Sequence, residues 1–191
     1  MIRLRIQSAV LLLAGSLMLL SCNDEEVNSK YCNLRARLTI DNVLQAPVLH
    51  AACESMGEYC TVTSDGQSFI FTNAAGKSSS LPIAALSGYS GYNLGLTGFI
   101  VGRLTIPEMG EDNVRVVCFD RACPNCYQAY NITKPLALQE SGYAGCKSCN
   151  RTYNLNDCGS LSDGPAGRAL YRYRVNYTLN NIGLWGLYIN N

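Results

Sequence analysis

The sequence predicts an all-β domain on three observations. Short segments alternate apolar and polar residues with a period of two, turn residues punctuate them at close intervals, and only one short stretch has helical character. Residues 34–40, 59–63 and 69–71 read as the first half-buried strands. Ser64-Asp65-Gly66-Gln67 supplies the Asp-Gly chemistry of a hairpin turn between the last two, and the Gly and Ser of residues 76–80 break the chain again. Further strands are expected at 98–104, 114–119, 136–138, 152–155, 170–177 and 184–189, all short and rich in Val, Ile, Tyr and Phe. Residues 48–56 are the one helical segment. A sandwich or barrel follows, with the twelve tyrosines as scattered cross-strand packing partners.

Composition removes several functions. Of 191 residues 48% are hydrophobic and 15% charged, with a net charge of +1, which excludes a polybasic nucleic-acid binder and a charge-driven disordered chain. One histidine, His50, stands against ten cysteines, so a three-His zinc site and a facial-triad iron site cannot be built. No carboxylate pair, phosphate loop or nucleophile-base grouping appears, and enzyme activity is not expected.

Residues 1–21 read as an export signal, with Arg3 and Arg5 ahead of an apolar run from Ala9 to Leu20. Leu19-Leu20-Ser21-Cys22 resembles the lipobox of bacterial lipoproteins, which implies cleavage before Cys22 and its lipidation. The acidic Asp24, Glu25 and Glu26 resemble a surface-export tag, so the expected place is the outer membrane, on its periplasmic or cell-surface face. Residues 22–30 suit a flexible tether and 31–191 a single domain. Arg3 and Arg5 are split by Leu4 rather than twinned, which points to general secretion, with the chain crossing unfolded and acquiring any metal afterwards.

The strongest chemical signal is Cys123-Pro124-Asn125-Cys126 followed, nineteen residues on, by Cys146-Lys147-Ser148-Cys149. Two such turns can aim four thiolates at one centre, as zinc or iron requires. Pro124 restricts the first turn, and Gly142 and Gly145 let the backbone approach the second. In an oxidising envelope the same thiols can instead close as two disulfides, so zinc, an iron–sulfur centre and a metal-free site all stand open at this stage.

From about residue 98 to 189 the order of motifs resembles the Rieske [2Fe–2S] family. Val114-Arg115-Val116-Val117-Cys118-Phe119-Asp120-Arg121-Ala122-Cys123-Pro124 is similar to that family's strand and first ligand loop. Thr152-Tyr153-Asn154-Leu155 with Gly159 is similar to its hairpin, and Gly164-Pro165-Ala166 with Leu170-Tyr171-Arg172-Tyr173 to its proline loop and return strand. The resemblance implies a Rieske-like β-sandwich with a smaller, rubredoxin-like two-loop metal subdomain over 118–160. The family's ligand histidines are absent: Cys126 and Cys149 lie at or beside their positions, and the first loop is one residue longer. An all-thiolate cluster would have a lower potential than a Rieske centre. The resemblance also implies that Cys118 and Cys158 lie near one end of the domain, as a candidate disulfide. Cys53 and Cys60 are a second candidate pair by their spacing, leaving Cys32 odd.

His50, between Leu49 and Ala51, is expected to be structural, and Arg121 and Lys147 beside the cysteine pairs to be solvated charges. Trp185 reads as a packing aromatic, and the region around Tyr89 and Tyr92 as a loop. The sequence therefore points to a lipid-anchored envelope protein with structural zinc on four cysteines. An electron carrier with a redox partner, and a disulfide-stapled binding or adhesion lipoprotein contacting surface partners, are the alternatives.

Overall fold

The computed structural model describes residues 30–86 and 91–191; the export signal, Cys22, the acidic run and Tyr89 lie outside them. The larger sheet has the order β1-β12-β11-β6-β5-β2-β3-β4 and every pairing in it is antiparallel. Its strands are β1 (Arg37–Ile40), β2 (Tyr59–Ser64), β3 (Ser68–Asn73), β4 (Ser78–Pro82), β5 (Phe99–Arg103), β6 (Val116–Asp120), β11 (Arg172–Leu179) and β12 (Trp185–Asn190). The smaller sheet, β10-β9-β8-β7, is built from β7 (Ala137–Gln139), β8 (Tyr143–Cys146), β9 (Arg151–Asn154) and β10 (Ser160–Asp163). With two short helices, α1 (Pro47–Glu54) and α2 (Pro124–Tyr130), the described residues form an all-β fold.

The middle strands carry apolar residues on both faces because both faces are covered. Phe99 and Val101 of β5 and Cys118 of β6 point into one core with Cys60 and Tyr173. Ile100 of β5 and Val117 and Phe119 of β6 point into the other. The register places Cys60, Val101, Cys118 and Tyr173 in one row across β2, β5, β6 and β11. Helix α1 closes the first core with Val48, Leu49, Ala52 and Cys53. The second core joins the large sheet to the small one through Tyr59, Leu104, Leu136, Ala144, Tyr153 and Leu155.

The β2–β3 turn forms as the sequence predicts: Asp65 Oδ1 accepts from the amides of Gln67 (2.9 Å) and Ser68 (2.7 Å), and Gly66 takes φ +89°. Three strands and one helix depart from expectation. β4 is a polar edge strand, Ser-Ser-Ser-Leu-Pro, with one buried residue, so it has no period-two apolar signal. β8 and β10 are four residues each, and β8 contains a glycine. Helix α2 starts inside the first cysteine pair with Pro124 in its first turn, a favourable place for proline. Among the described residues no helix is long and apolar enough to cross a membrane.

Candidate metal centre

Strand β6 delivers the first cysteine pair. Asp120, fully buried at its end, accepts from the amides of Leu96 (2.8 Å) and Ala122 (2.7 Å) and from the phenol of Tyr173 (2.7 Å). Burial pushes the Asp120 carboxyl up while these donors pull it back. A Cβ on Gly95, at φ +69°, would lie 2.3 Å from Asp120 Oδ2 and 2.4 Å from the Tyr173 oxygen, so only glycine passes there. Beyond Asp120 the chain pairs with residues 134–136: Cys123 N–H donates to the Lys134 carbonyl (2.8 Å) and Leu136 N–H to that of Arg121 (2.7 Å). Cys123 caps α2, and Cys126 sits in its first turn.

The second pair is the turn between β8 and β9. Cys146 ends β8, Asn150 takes a left-handed φ of +54°, and its amide closes the turn on the Cys146 carbonyl at 2.9 Å. The amides of Ser148 and Cys149 hydrogen-bond the Cys146 sulfur. A Cβ on Gly145 would meet only the tip of the exposed Gln139 side chain, Nε2 at 2.6 Å, which can swing aside.

The two turns converge. The Sγ atoms of Cys123, Cys126, Cys146 and Cys149 all lie within 4.8 Å of one another. Cys123 faces Cys149 at 3.6 Å, and Cys126 faces Cys146 at 3.7 Å, so each close pair joins one turn to the other. Three of the four are buried and Cys149 is half-buried. This group can hold a metal ion.

Polar neighbours surround the sulfurs. The buried Tyr153 on β9 places its hydroxyl 3.3 Å from Cys123 Sγ and receives Asn125 Nδ2–H at 2.8 Å. Arg151 hydrogen-bonds Cys149 and donates to the carbonyls of Pro165 and Ala166, both at 2.9 Å, which ties the second turn to the 164–166 loop. Burial and the neighbouring sulfurs push the Cys126 thiol well above the ordinary value, and burial raises Cys146. Burial alone would raise Cys149 too, but Arg151 and the other three sulfurs bring it down to about 7. Arg151, Asn125 and Tyr153 carry no motif of their own in the sequence. Their one signal is position, within four residues of a cysteine pair.

The other cysteines stand apart from this group. All nine described cysteines are free thiols, so neither Cys118 with Cys158 nor Cys53 with Cys60 is bonded in this structure. Cys118 is fully buried in the first core, whereas Cys158 sits exposed in a left-handed turn with its Sγ 3.0 Å from Glu108 Oε1. Cys53 and Cys60 share the first core, where burial raises both thiols, Cys53 to about 12, and they pack as small hydrophobes. His50 lies on α1, outside the sulfur group. Trp185 stacks on Tyr177 with centroids 4.7 Å apart. Comparison with family models, with curated proteins and with solved structures finds no match to this chain.

Proposed function

We propose that this chain is a lipid-anchored cell-envelope domain whose Cys123, Cys126, Cys146 and Cys149 bind one zinc ion for structural support. The observation that carries the metal reading is the mutual approach of four Sγ atoms within 4.8 Å. Zinc–sulfur bonds of about 2.3 Å make a tetrahedron with edges of about 3.8 Å, close to the 3.6 and 3.7 Å of the two facing pairs. A [2Fe–2S] rhomb instead holds its two thiolate pairs on different irons, roughly 6 Å apart, which is wider than this group.

The structural role rests on the thinness of what the centre supports. The small sheet has strands of three and four residues, and its buried side chains are shared with the large sheet. Zinc binding of about 10–16 kcal/mol in comparable four-ligand sites is then folding energy for that subdomain. The lipid anchor at Cys22 and the derivation from a Rieske domain rest on the sequence motifs alone. In that reading the loss of both histidines replaces an electron carrier by a closed structural site, with no enzyme activity.

Metal analysis and an absorption spectrum of the folded protein purified from the cell envelope test the proposal. One zinc per chain and no visible colour are expected. Two irons with labile sulfide, or four thiols oxidised without metal, would overturn it.

A further inference from the structure

A groove of about 540 Å³ runs between the large sheet, the 134–138 segment and the second cysteine turn. Three cations line it: Arg121, Lys134 and Lys147, from three different segments, with the hydroxyl-bearing Thr61, Thr72 and Ser148 between them. No carboxylate lines this groove. Asp120, next to Arg121 in the chain, spends its oxygens on Leu96, Ala122 and Tyr173. Arg121 is half-buried and its Nε has no hydrogen-bond partner; burial disfavours its charge and the neighbouring Asp120 carboxylate only partly offsets this. Lys134 and Ser148 also line a second hollow of about 690 Å³, together with Arg151.

The geometry points to a binding site for a doubly charged tetrahedral oxyanion, a phosphate monoester or free phosphate, between Arg121, Lys134 and Lys147. Three cations lining one groove exceed what one planar carboxylate would balance, and a tetrahedral group can accept hydrogen bonds from a guanidinium and two ammonium groups on several sides at once, whereas the Thr61 and Thr72 hydroxyls are engaged with the Thr72 carbonyl and Ser78. The volume lies in the range of small-ligand clefts. None of the three cations is a sulfur ligand, although Lys147 and Ser148 belong to the turn that carries Cys146 and Cys149.

Isothermal titration of the full folded protein at low ionic strength, with inorganic phosphate in one arm and glucose 6-phosphate in the other, tests it. Saturable one-to-one binding is expected. Equal affinity in the two arms identifies the free ion as the ligand, and tighter binding of the ester identifies an esterified group. Lys134→Gln is expected to weaken binding by about tenfold with metal content unchanged, and the double variant with Lys147→Gln by about a hundredfold. Absence of binding up to about 10 mM, or equal affinity in wild type and double variant, would overturn the site. Loss of metal from Lys134→Gln would also overturn it, because the lysine would then be serving the sulfurs.

Discussion

Tyr153 and Cys123, thirty residues apart, meet with the phenol oxygen 3.3 Å from the sulfur. Asn125 Nδ2–H already donates to that oxygen, and Asn125 Oδ1 accepts from the Arg168 amide at 2.9 Å, which fixes the orientation of the amide. The phenol proton is thereby left for the sulfur, and Tyr153 is placed to donate to Cys123 once a bound metal holds that sulfur as a thiolate. Tyr153→Phe removes this donor and leaves Asn125 Nδ2 with its other acceptor alone, the Arg168 carbonyl at 3.1 Å. Zinc affinity, measured by chelator competition, is expected to fall by about tenfold while the fold is retained. An unchanged affinity would contradict the assigned polarity.

Cys126→Ser replaces a buried ligand with a weaker one. Loss of most bound zinc is expected, with amides of β8 and β9 exchanging at least about tenfold faster while those of β5 and β6 stay protected. Equal loss of protection in both sheets would show that the small sheet has no independent reliance on the metal.

Zinc binding is expected to release protons. Cys126 and Cys146 sit above the ordinary thiol value, so both are protonated at neutral pH without metal and must ionise to bind it. Apparent affinity therefore falls as pH falls, by at least about a hundredfold per unit from these two thiols. Below about 7 Cys149 also protonates and the dependence steepens. Proton release in weak buffer on adding zinc measures this; fewer than two per zinc at neutral pH would contradict the assignment.

Asp120→Ala strips three donors of one buried acceptor. The amides of Leu96 and Ala122 and the Tyr173 phenol lose their partner. A loss of about 3 kcal/mol in urea unfolding at fixed zinc is expected. A change under about 1 kcal/mol would mean that water replaces the carboxylate freely.

Much of this architecture can be read in the chain, and the parts that cannot have physical causes. β2, β3, β5 and β6 announce themselves because period-two runs and apolar blocks are what half-buried and fully buried strands require. The four-sulfur group is legible in its spacing. β4 is silent because an exposed edge tolerates Ser-Ser-Ser, and α2 because Pro124 and seven residues leave no amphipathic period. Tyr153 is hidden for another reason: its partner Cys123 lies thirty residues away, and no local pattern encodes a contact made by convergence. Cys118 and Cys158 are close in motif order, yet the pleat sends Cys118 into the first core while Cys158 remains at the surface.

X-ray absorption at the metal edge of the purified protein reads the ion and its ligands together. A single zinc surrounded by four sulfurs at about 2.3 Å is expected, with no second metal nearby. A mixed nitrogen and sulfur shell, or an iron–iron vector, would contradict it.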